Sequence, residues 1–358
     1  MLIKYEIRKI IKNPIVWILM LFFLVINILN IEIQVHDYKK DIKLTHQYIL
    51  NDKIDKEYLD SVVSVYDDFN MQIVKDTKMD LYDYKPSGKY KQFIDNCYSK
   101  LDNRVEEIKN DGESTQLTYP GQVYRLHNIL YYNVFKKLML EMAVIISICT
   151  LFLMDYERIN NTTGIVFVTK RGRTIQKSKM VSAMLVGSAI NSILMIGTLG
   201  YYFTNIQYKG LWKVSLSSAM AMETRGLLTY PFITYIKMSF GKYLMFSVGY
   251  AIVLILLVSV LSSAIQLVTN NSYISIIIVV ITMLGLLNIL QFSTNTWLDL
   301  LLSFNLASSW NDCGSWFMEN HLFTSFKAYD WISILVQTCI VSILFSVAYK
   351  RFCRKDYV

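Results

Sequence analysis

Charge is scarce in this sequence. Only 18% of its 358 residues are Asp, Glu, Lys or Arg, whereas average soluble domains carry about 25%. Several stretches of about 17 to 25 residues contain almost no charge, and about 20 apolar residues are enough to span a bilayer core as a helix. The composition therefore excludes an ordinary soluble domain and predicts an integral membrane protein.

The motifs of nucleotide and metal chemistry are also missing. No G-x-x-x-x-G-K-[ST] phosphate loop, HExxH, GxSxG or protein-kinase signature occurs. The five cysteines and four histidines show no metal-ligand spacing. We therefore expect no catalytic residue, metal or cofactor in this chain itself. Cys97 and Cys313 both fall in predicted outer segments, and a disulfide between them stays open because sequence does not fix their separation.

Helices are the expected spanning elements. Lipid offers no partner to an unpaired backbone group, so a span is either a helix or part of a closed barrel. The segment "ISIIIVVITMLGLLNIL" does not alternate as a barrel strand does. We expect an all-α polytopic protein with six spans: Pro14–Ile31, Leu138–Met154, Met180–Phe203, Tyr243–Leu267, Tyr273–Phe292 and Trp331–Tyr349.

Basic residues predict the orientation. They concentrate in the N-terminal flank, in the segment after the second span and at the C-terminus. Six spans place these three flanks on one side, and basic flanks face the cytoplasm. We expect a plasma-membrane protein with both termini in the cytoplasm. The net charge of +8 then reflects topology, and nucleic-acid binding is not expected.

The spans divide the chain into regions. Residues 1–13 read as an interfacial elbow helix, 14–31 as the first span and 32–131 as an extracellular helical domain. The remainder, 132–358, holds spans two to six, with a cytoplasmic loop at 155–179 and an apolar outer loop at 293–330. The stretch "TWLDLLLSFNLASSW" in that outer loop is apolar but too short to cross, which favours a re-entrant or interfacial helix.

The elbow and the outer domain each show helical periodicity. The N-terminal segment places its isoleucines on one face and Lys4, Arg8 and Lys12 on the other. Such a helix lies at the membrane surface with its cations toward lipid phosphates. Residues 32–131 follow three- and four-residue apolar steps, broken at "KPSG" and "NDGESTQLTYPG". They carry 14 basic and 18 acidic residues, a net charge of −4.

One ionisable residue stands clearly inside a span. Glu141 lies near the outer end of the second span, just after Lys136 and Lys137. Ionisable residues within spans are functional candidates, so a place on a substrate path is one interpretation. The other is that Glu141 reaches the interface or pairs with one of the lysines. The spans otherwise lack the buried acid–base chain of a proton-coupled carrier, which favours energy supplied from outside the chain.

The segment "LFLMDYERINNTTGIVFVTKRGRTIQKSKMVSAMLV" resembles the region between the second and third spans of ATP-binding-cassette exporter permeases of the type-two class. The matching positions are Glu157–Arg158, Thr163–Gly164, Arg173 and Lys179. The N-terminal "YEIRKIIKN" is similar to the elbow helix of that family, and the apolar outer loop also resembles a family feature. Two departures are "TKRGR", where the family often has Pro before its basic residue, and the large outer domain.

The resemblance implies a permease subunit that joins a second permease copy or homologue and two ATPase subunits. ATP and Mg would be bound by the ATPases, and 155–179 would couple to them. The short helix would present Ile165, Val166, Phe167 and Val168 as an apolar contact. Arg171 and Arg173 would frame that contact, and Lys177 and Lys179 would anchor the third span.

Three functions remain open at this level. The first is ATP-driven export, with the acidic outer domain suited to a cationic amphipathic peptide. The second is a signalling or scaffold protein that passes ATPase motion to the outer domain without transport. The third is an ion-coupled carrier that needs no ATPase, which the lack of buried titratable residues disfavours.

Overall fold

The fold is predominantly helical. A computed structural model describes residues 2–46, 64–116, 123–168 and 172–354, apart from 207, 209, 220, 226 and 227. In chain order the helices are α1 (Leu2–Ile11), α2 (Pro14–His46), α3 (Met71–Leu81), α4 (Gly88–Asn110), α5 (Val123–Asn128), α6 (Lys136–Met154), α7 (Tyr156–Ile159), α8 (Thr163–Val168), α9 (Ile175–Asn205), α10 (Phe240–Thr269), α11 (Ser272–Asn288), α12 (Trp297–Ser303), α13 (Leu306–Asn311) and α14 (Tyr329–Arg354).

Six described helices are long and apolar enough to cross a membrane, as the hydropathy predicts. We name them spans 1 to 6: Pro14–Lys40, Arg125–Met154, Ile175–Asn205, Phe240–Thr269, Ser272–Phe292 and Tyr329–Arg354. Each contains its predicted segment and extends beyond most of the predicted ends. Span 2 begins furthest before its predicted start, because α5 continues through a π-helical stretch (Ile129–Phe135) into α6. The predicted helical continuation of the first span is confirmed by α2, which runs on to His46.

The spans are buried to very different degrees. Span 2 has 67% of its most apolar window buried, and spans 3 and 4 have 44% and 50%. Span 5 has only 11% buried, with spans 1 and 6 at 22% and 28%. Small residues explain the close packing of spans 2 and 3: a Cβ added at Gly187 would lie 2.8 Å from the Ile146 side chain. Span 2 is thus the central helix of the bundle.

One end of the bundle gathers α1, the 155–179 segment, the turn between spans 4 and 5, and the end of span 6. We call it the loop end. The turn is fixed by two asparagines. Asn270 ends α10 in the left-handed region (φ 52°), and the Asn271 side chain accepts from the Tyr273 and Ile274 amides at the start of α11. The three basic flanks therefore meet at one end of the bundle.

The opposite end, which we call the domain end, carries a folded unit built from three separate chain segments. Its helices α3 and α4 are separated at "KPSG", as predicted. They pack with residues 208–239 and 312–327. These segments include an antiparallel hairpin, Met222–Arg225 with Leu228–Pro231, that the sequence reading missed. The folded unit at the domain end is therefore not confined to residues 32–131.

Buried polar contacts join the three segments. Glu319 forms an ion pair with Lys78 and accepts hydrogen bonds from Tyr98 Oη (2.7 Å) and Tyr230 Oη (2.8 Å). All five cysteines lie in the described residues, and none is in a disulfide. Cys97 and Cys313 are buried thiols, so the disulfide that sequence left open is not formed. Burial raises the pKa of Cys97 to about 11, which keeps it protonated.

The loop 293–330 contains two short helices joined at Phe304 and Asn305. The segment "TWLDLLLSFNLASSW" folds as α12 and α13 rather than as one helix, with Asn305 capping α13 through the Ser308 amide (2.9 Å). Helix α13 packs against spans 2, 4 and 5. This geometry fits the re-entrant expectation, and its depth in a membrane stays a prediction.

Candidate functional site

The segment predicted to couple to an ATPase forms two short helices, α7 and α8. Asn161 lies between them in the left-handed region (φ 55°), which asparagine tolerates better than most residues. Its amide donates to the Arg158 carbonyl at 3.1 Å, and the Thr162 amide donates to the Glu157 carbonyl at 2.8 Å. These bonds reverse the chain after α7, so that α8 starts as a separate helix at the surface of the loop end.

A buried cluster of four charges ties this segment to α1 and to span 3. Lys179 is fully buried and forms an ion pair with Glu157, while its ammonium also donates to the Leu153 carbonyl at 2.9 Å. Lys9 of α1 lies 3.6 Å from Glu157 and 2.9 Å from Glu6. The cluster holds two acids and two bases, so the charges compensate each other in a site that excludes water.

The adjacent residues Glu157 and Arg158 bind different partners. Adjacent residues on a helix point in different directions. Glu157 turns inward to Lys179, and Arg158 binds Asp155 through two parallel bonds of 2.7 and 2.6 Å. Asp155 is a residue that the sequence reading did not single out. It is 3% exposed, and its position just before α7 gave no signal of its long-range partner.

Asp155 also holds the turn between spans 4 and 5. Its carboxylate accepts from the backbone amide of Ser272 at 3.2 Å and from the Ser272 hydroxyl at 2.7 Å. A carboxylate at a helix N-terminus satisfies an unpaired amide and complements the helix dipole. Burial acts to raise the pKa of Asp155, but the bonds from Arg158 and Ser272 outweigh it and lower the pKa below 3.8.

Phe167 anchors α8 to the ends of spans 4 and 6. It is 6% exposed and meets the Phe352 ring edge-on, with centroids 5.3 Å apart. Met154, Ala264, Leu267 and Ala348 complete this small core. The expectation that all four apolar residues of α8 project outward is therefore wrong for Phe167, because its ring fills the core beneath the helix.

The basic residues after α8 contact span 6. Arg173 donates to the Cys353 carbonyl near the end of α14, where unpaired carbonyls and the helix dipole favour a cation. Lys177 lies over the Tyr349 ring, 4.5 Å from its centroid. Arg173 and Lys177 thus bind within the chain, in addition to any role toward a partner. Arg171, predicted as part of the ATPase contact, lies outside the described residues.

What α8 presents to its surroundings is a small apolar face. Ile165 and Val168 are 74% and 69% exposed, and a Cβ added at Gly164 would meet nothing within 4 Å. Val166 is half-buried against the core around Phe167. The exposed residues follow helical spacing, so they form one continuous surface about a helical turn long.

The N-terminal segment forms the helix α1, on which Lys4, Arg8 and Lys12 are exposed, and its role as an elbow helix stays a prediction. Ile10 is fully buried, while Leu2, Ile3 and Ile11 are 43%, 40% and 49% exposed. The helix packs against spans 2 and 3. Its position at a membrane surface stays a prediction, which the exposed apolar and cationic side chains fit.

Glu141 lies in a polar cluster across spans 1 to 3. Asn27 Nδ2 donates to Glu141 Oε2 at 2.6 Å and to Thr198 Oγ1 at 3.2 Å. No ion pair joins Glu141 to Lys136 or Lys137 in this part of the described chain, where Lys136 donates to Asn311 and Lys137 donates to Asn30. Glu141 is 8% exposed, so a place on a substrate path stays a prediction.

Comparison with protein-family models, curated proteins and solved structures gives no match to this chain.

Proposed function

We propose that this chain is the permease subunit of an ATP-driven transporter of the ATP-binding-cassette type. Two copies, or this chain and a homologue, would form the path, and separate ATPase subunits would bind ATP and Mg. The observation that carries the proposal is the exposed apolar face of α8, Gly164, Ile165 and Val168, on a helix fixed to the spans around it. Two large aliphatic residues at a loop tip favour contact with another protein.

The anchoring of α8 and its flanks supports transmission of force. Asp155 holds the turn of spans 4 and 5, Glu157 holds span 3 and α1, and Phe167 and Arg173 hold span 6. A displacement applied to this segment would reach those elements directly. A cavity of about 190 Å³ beneath α8, lined in part by Gln176, Gln266 and Phe352, leaves room for such a displacement.

The substrate we propose is a peptide or another amphipathic molecule that is exported. Residues 32–131 carry a net charge of −4, and the segments 208–239 and 312–327 bring the total for the three segments to −2. This mildly acidic balance suits a cationic partner at the domain end. Glu141, bonded to Asn27 between spans 1 and 2, is a candidate polar contact on the path. Transport into vesicles of a labelled cationic peptide, compared with its acidic counterpart, tests this choice.

The test of the transporter class starts with the native complex. Purification from the source membrane should yield an ATPase in about equal amount to the permease. The double variant Ile165→Asp/Val168→Asp should lose the ATPase, because two charges cannot enter an apolar contact without a large desolvation cost. The matched control is Ile73→Asp/Tyr82→Asp at the domain end, where two exposed apolar residues receive the same added charge. Retention of the ATPase by Ile165→Asp/Val168→Asp would refute the contact.

A second candidate is an ATPase-coupled signalling protein that moves the outer unit without transport. The composite domain end favours it, because Glu319 rigidly links the loop before span 6 to α3, α4 and the hairpin. Reconstituted vesicles separate the two functions. ATP hydrolysis with movement of a peptide or lipid supports the transporter, and hydrolysis with no movement across a broad panel supports the signalling protein.

A further inference from the structure

An apolar crevice opens between spans 2, 4 and 5 beneath helix α13. It encloses about 300 Å³. Among the described residues that line it, only Ser147 and Trp310 carry a side-chain nitrogen or oxygen. Both of those atoms already have partners: Ser147 Oγ accepts from Ser262, and Trp310 Nε1 donates to the Lys136 carbonyl. The lining therefore offers contact to hydrocarbon and little to a polar solute.

The crevice runs along one stripe of span 2. Met139, Leu140, Ala143 and Ser147 line it at three- and four-residue spacing. Lys136 precedes them on the same stripe. At 1.5 Å per residue, Lys136 and Ser147 are separated by about 16 Å along the helix. That length is close to half of the roughly 30 Å hydrocarbon core, which is the depth occupied by an acyl chain of one leaflet.

Lys136 supplies a cation at the outer end of this stripe. Its ammonium lies 5.1 Å from the Trp310 ring centroid and donates to the carbonyl and side-chain oxygens of Asn311 at 2.8 and 2.9 Å. An ammonium has three N–H donors, so one more acceptor can be bound. Asp312 follows in the chain, and its carboxylate lies 3.3 Å from His321 Nε2.

We propose that the crevice binds one acyl chain of an anionic membrane lipid, whose phosphate is held by Lys136. The apolar lining recognises the chain, and the ammonium at its outer end recognises the headgroup. This site is separate from the loop end and does not depend on an ATPase. The lipid would fill the gap that span 5 leaves along span 2, where span 5 itself is only 11% buried.

The test uses the purified full-length protein, freed of lipid in detergent. Phosphatidylglycerol and phosphatidylcholine with identical chains are then titrated and counted as adducts by native mass spectrometry. Leu284→Trp should abolish the tight adduct by filling the crevice mouth. Leu284 lines the crevice and is 55% exposed, so the larger ring does not strain the core. Ile281→Trp is the control, since Ile281 is 63% exposed and does not line the crevice.

The headgroup is tested with a second matched pair. Lys136→Gln should weaken phosphatidylglycerol binding about fivefold, the contribution of one basic residue to anionic-lipid attraction, and weaken phosphatidylcholine binding less, because the choline cation offsets its phosphate charge. Lys137→Gln is the control, because Lys137 donates to Asn30 of span 1. Equal binding of the two lipids by the unmodified protein, or equal losses in both glutamine variants, would overturn the proposal. So would a lipid-free dimer that Leu284→Trp dissociates, because a second copy would then cover the crevice.

Discussion

Lys179, four residues into span 3, forms a buried ion pair with Glu157, which lies just beyond the end of span 2. Lys179 has no exposed side-chain surface, and the Glu157 side chain is 6% exposed. The pair closes the loop between two spans at its base. The described residues between them, including α8, therefore extend from a base that is fixed to the bundle.

We first predict that Lys179→Met destabilises the folded protein strongly. Removing one partner of a buried ion pair leaves the other charge unpaired and costs about 3–5 kcal/mol. The thermal midpoint in detergent, followed by fluorescence, measures the loss. Lys177→Met is the control, because Lys177 is exposed, two residues earlier on the same helix, and should change the midpoint little.

The double variant Glu157→Leu/Lys179→Met should recover much of that loss, since well-packed apolar residues often replace a buried ion pair without cost. A simple charge exchange should not recover it. A lysine at position 157 would face Lys9, which now lies 3.6 Å from the Glu157 carboxylate. Full recovery by the exchange would contradict the four-charge arrangement.

Our second prediction separates the inner and outer faces of α8. Phe167→Ala should cost about 3–5 kcal/mol, as removal of a buried aromatic ring does, and should increase hydrogen exchange over 163–168. Ile165→Ala should change stability by less than about 0.5 kcal/mol, as surface substitutions do. Equal destabilisation by the two variants would mean that Ile165 is buried against something within the folded chain.

The third prediction concerns pH and Asp155. A carboxylate whose pKa is lowered on folding contributes stability above its unfolded pKa, and the contribution disappears as pH falls through the folded pKa. Asp155→Asn should therefore lower the thermal midpoint at pH 7, and its difference from the unmodified protein should shrink as the pH drops below 3.8. Midpoints measured from pH 7 to pH 3 test this.

The variant Arg158→Gln tests whether Arg158 is a cause of the lowered pKa of Asp155. Because Arg158 helps to lower the pKa of Asp155, its loss should move the pH-dependent change toward higher pH. A difference between Asp155→Asn and the unmodified protein that is constant from pH 7 to pH 3 would contradict the bonded carboxylate.

Hydropathy predicted the six spans because a membrane imposes the same demand on every residue of a span: it must be apolar, and its backbone must bond to itself. Hydropathy does not indicate which charged side chains form ion pairs with each other. Glu157 was singled out beside Arg158, but its ion pair is with Lys179, and Arg158 binds Asp155. Such choices depend on how helices rotate against each other, which the apolar pattern alone does not determine.

At the domain end, too, local features could be predicted from the sequence, whereas contacts between distant segments could not. The break at "KPSG" was readable because proline and glycine act locally. The ion pair between Lys78 and Glu319 could not be predicted from local signals, because the two residues are 241 positions apart in the sequence. The hairpin was missed because its strands have four residues each, shorter than the five or six of a typical strand.

The fourth prediction is that Glu319 holds together the folded unit at the domain end. Glu319 is 2% exposed and bonds Lys78 of α3, Tyr98 of α4 and Tyr230 of the hairpin. Glu319→Gln removes the charge that compensates the buried Lys78, at a cost of about 3–5 kcal/mol. Limited proteolysis should then cleave within 64–116 faster than in the unmodified protein. The control Glu107→Gln breaks a contact with Arg104 in which Glu107 is 67% exposed, and it should cost less than about 1 kcal/mol.

A compensating variant distinguishes unfolding of the unit at the domain end from unfolding of the helical bundle. Lys78→Met combined with Glu319→Leu removes both charges and leaves the apolar side chains of α3 and the last loop in contact, so much of the protease resistance should return. The two tyrosines then lose an acceptor, and burial together with the Glu319 carboxylate is what raises the pKa of Tyr98. The double variant should therefore remain less resistant than the unmodified protein. If Glu319→Gln alone leaves cleavage unchanged, the three segments do not depend on this carboxylate for their assembly.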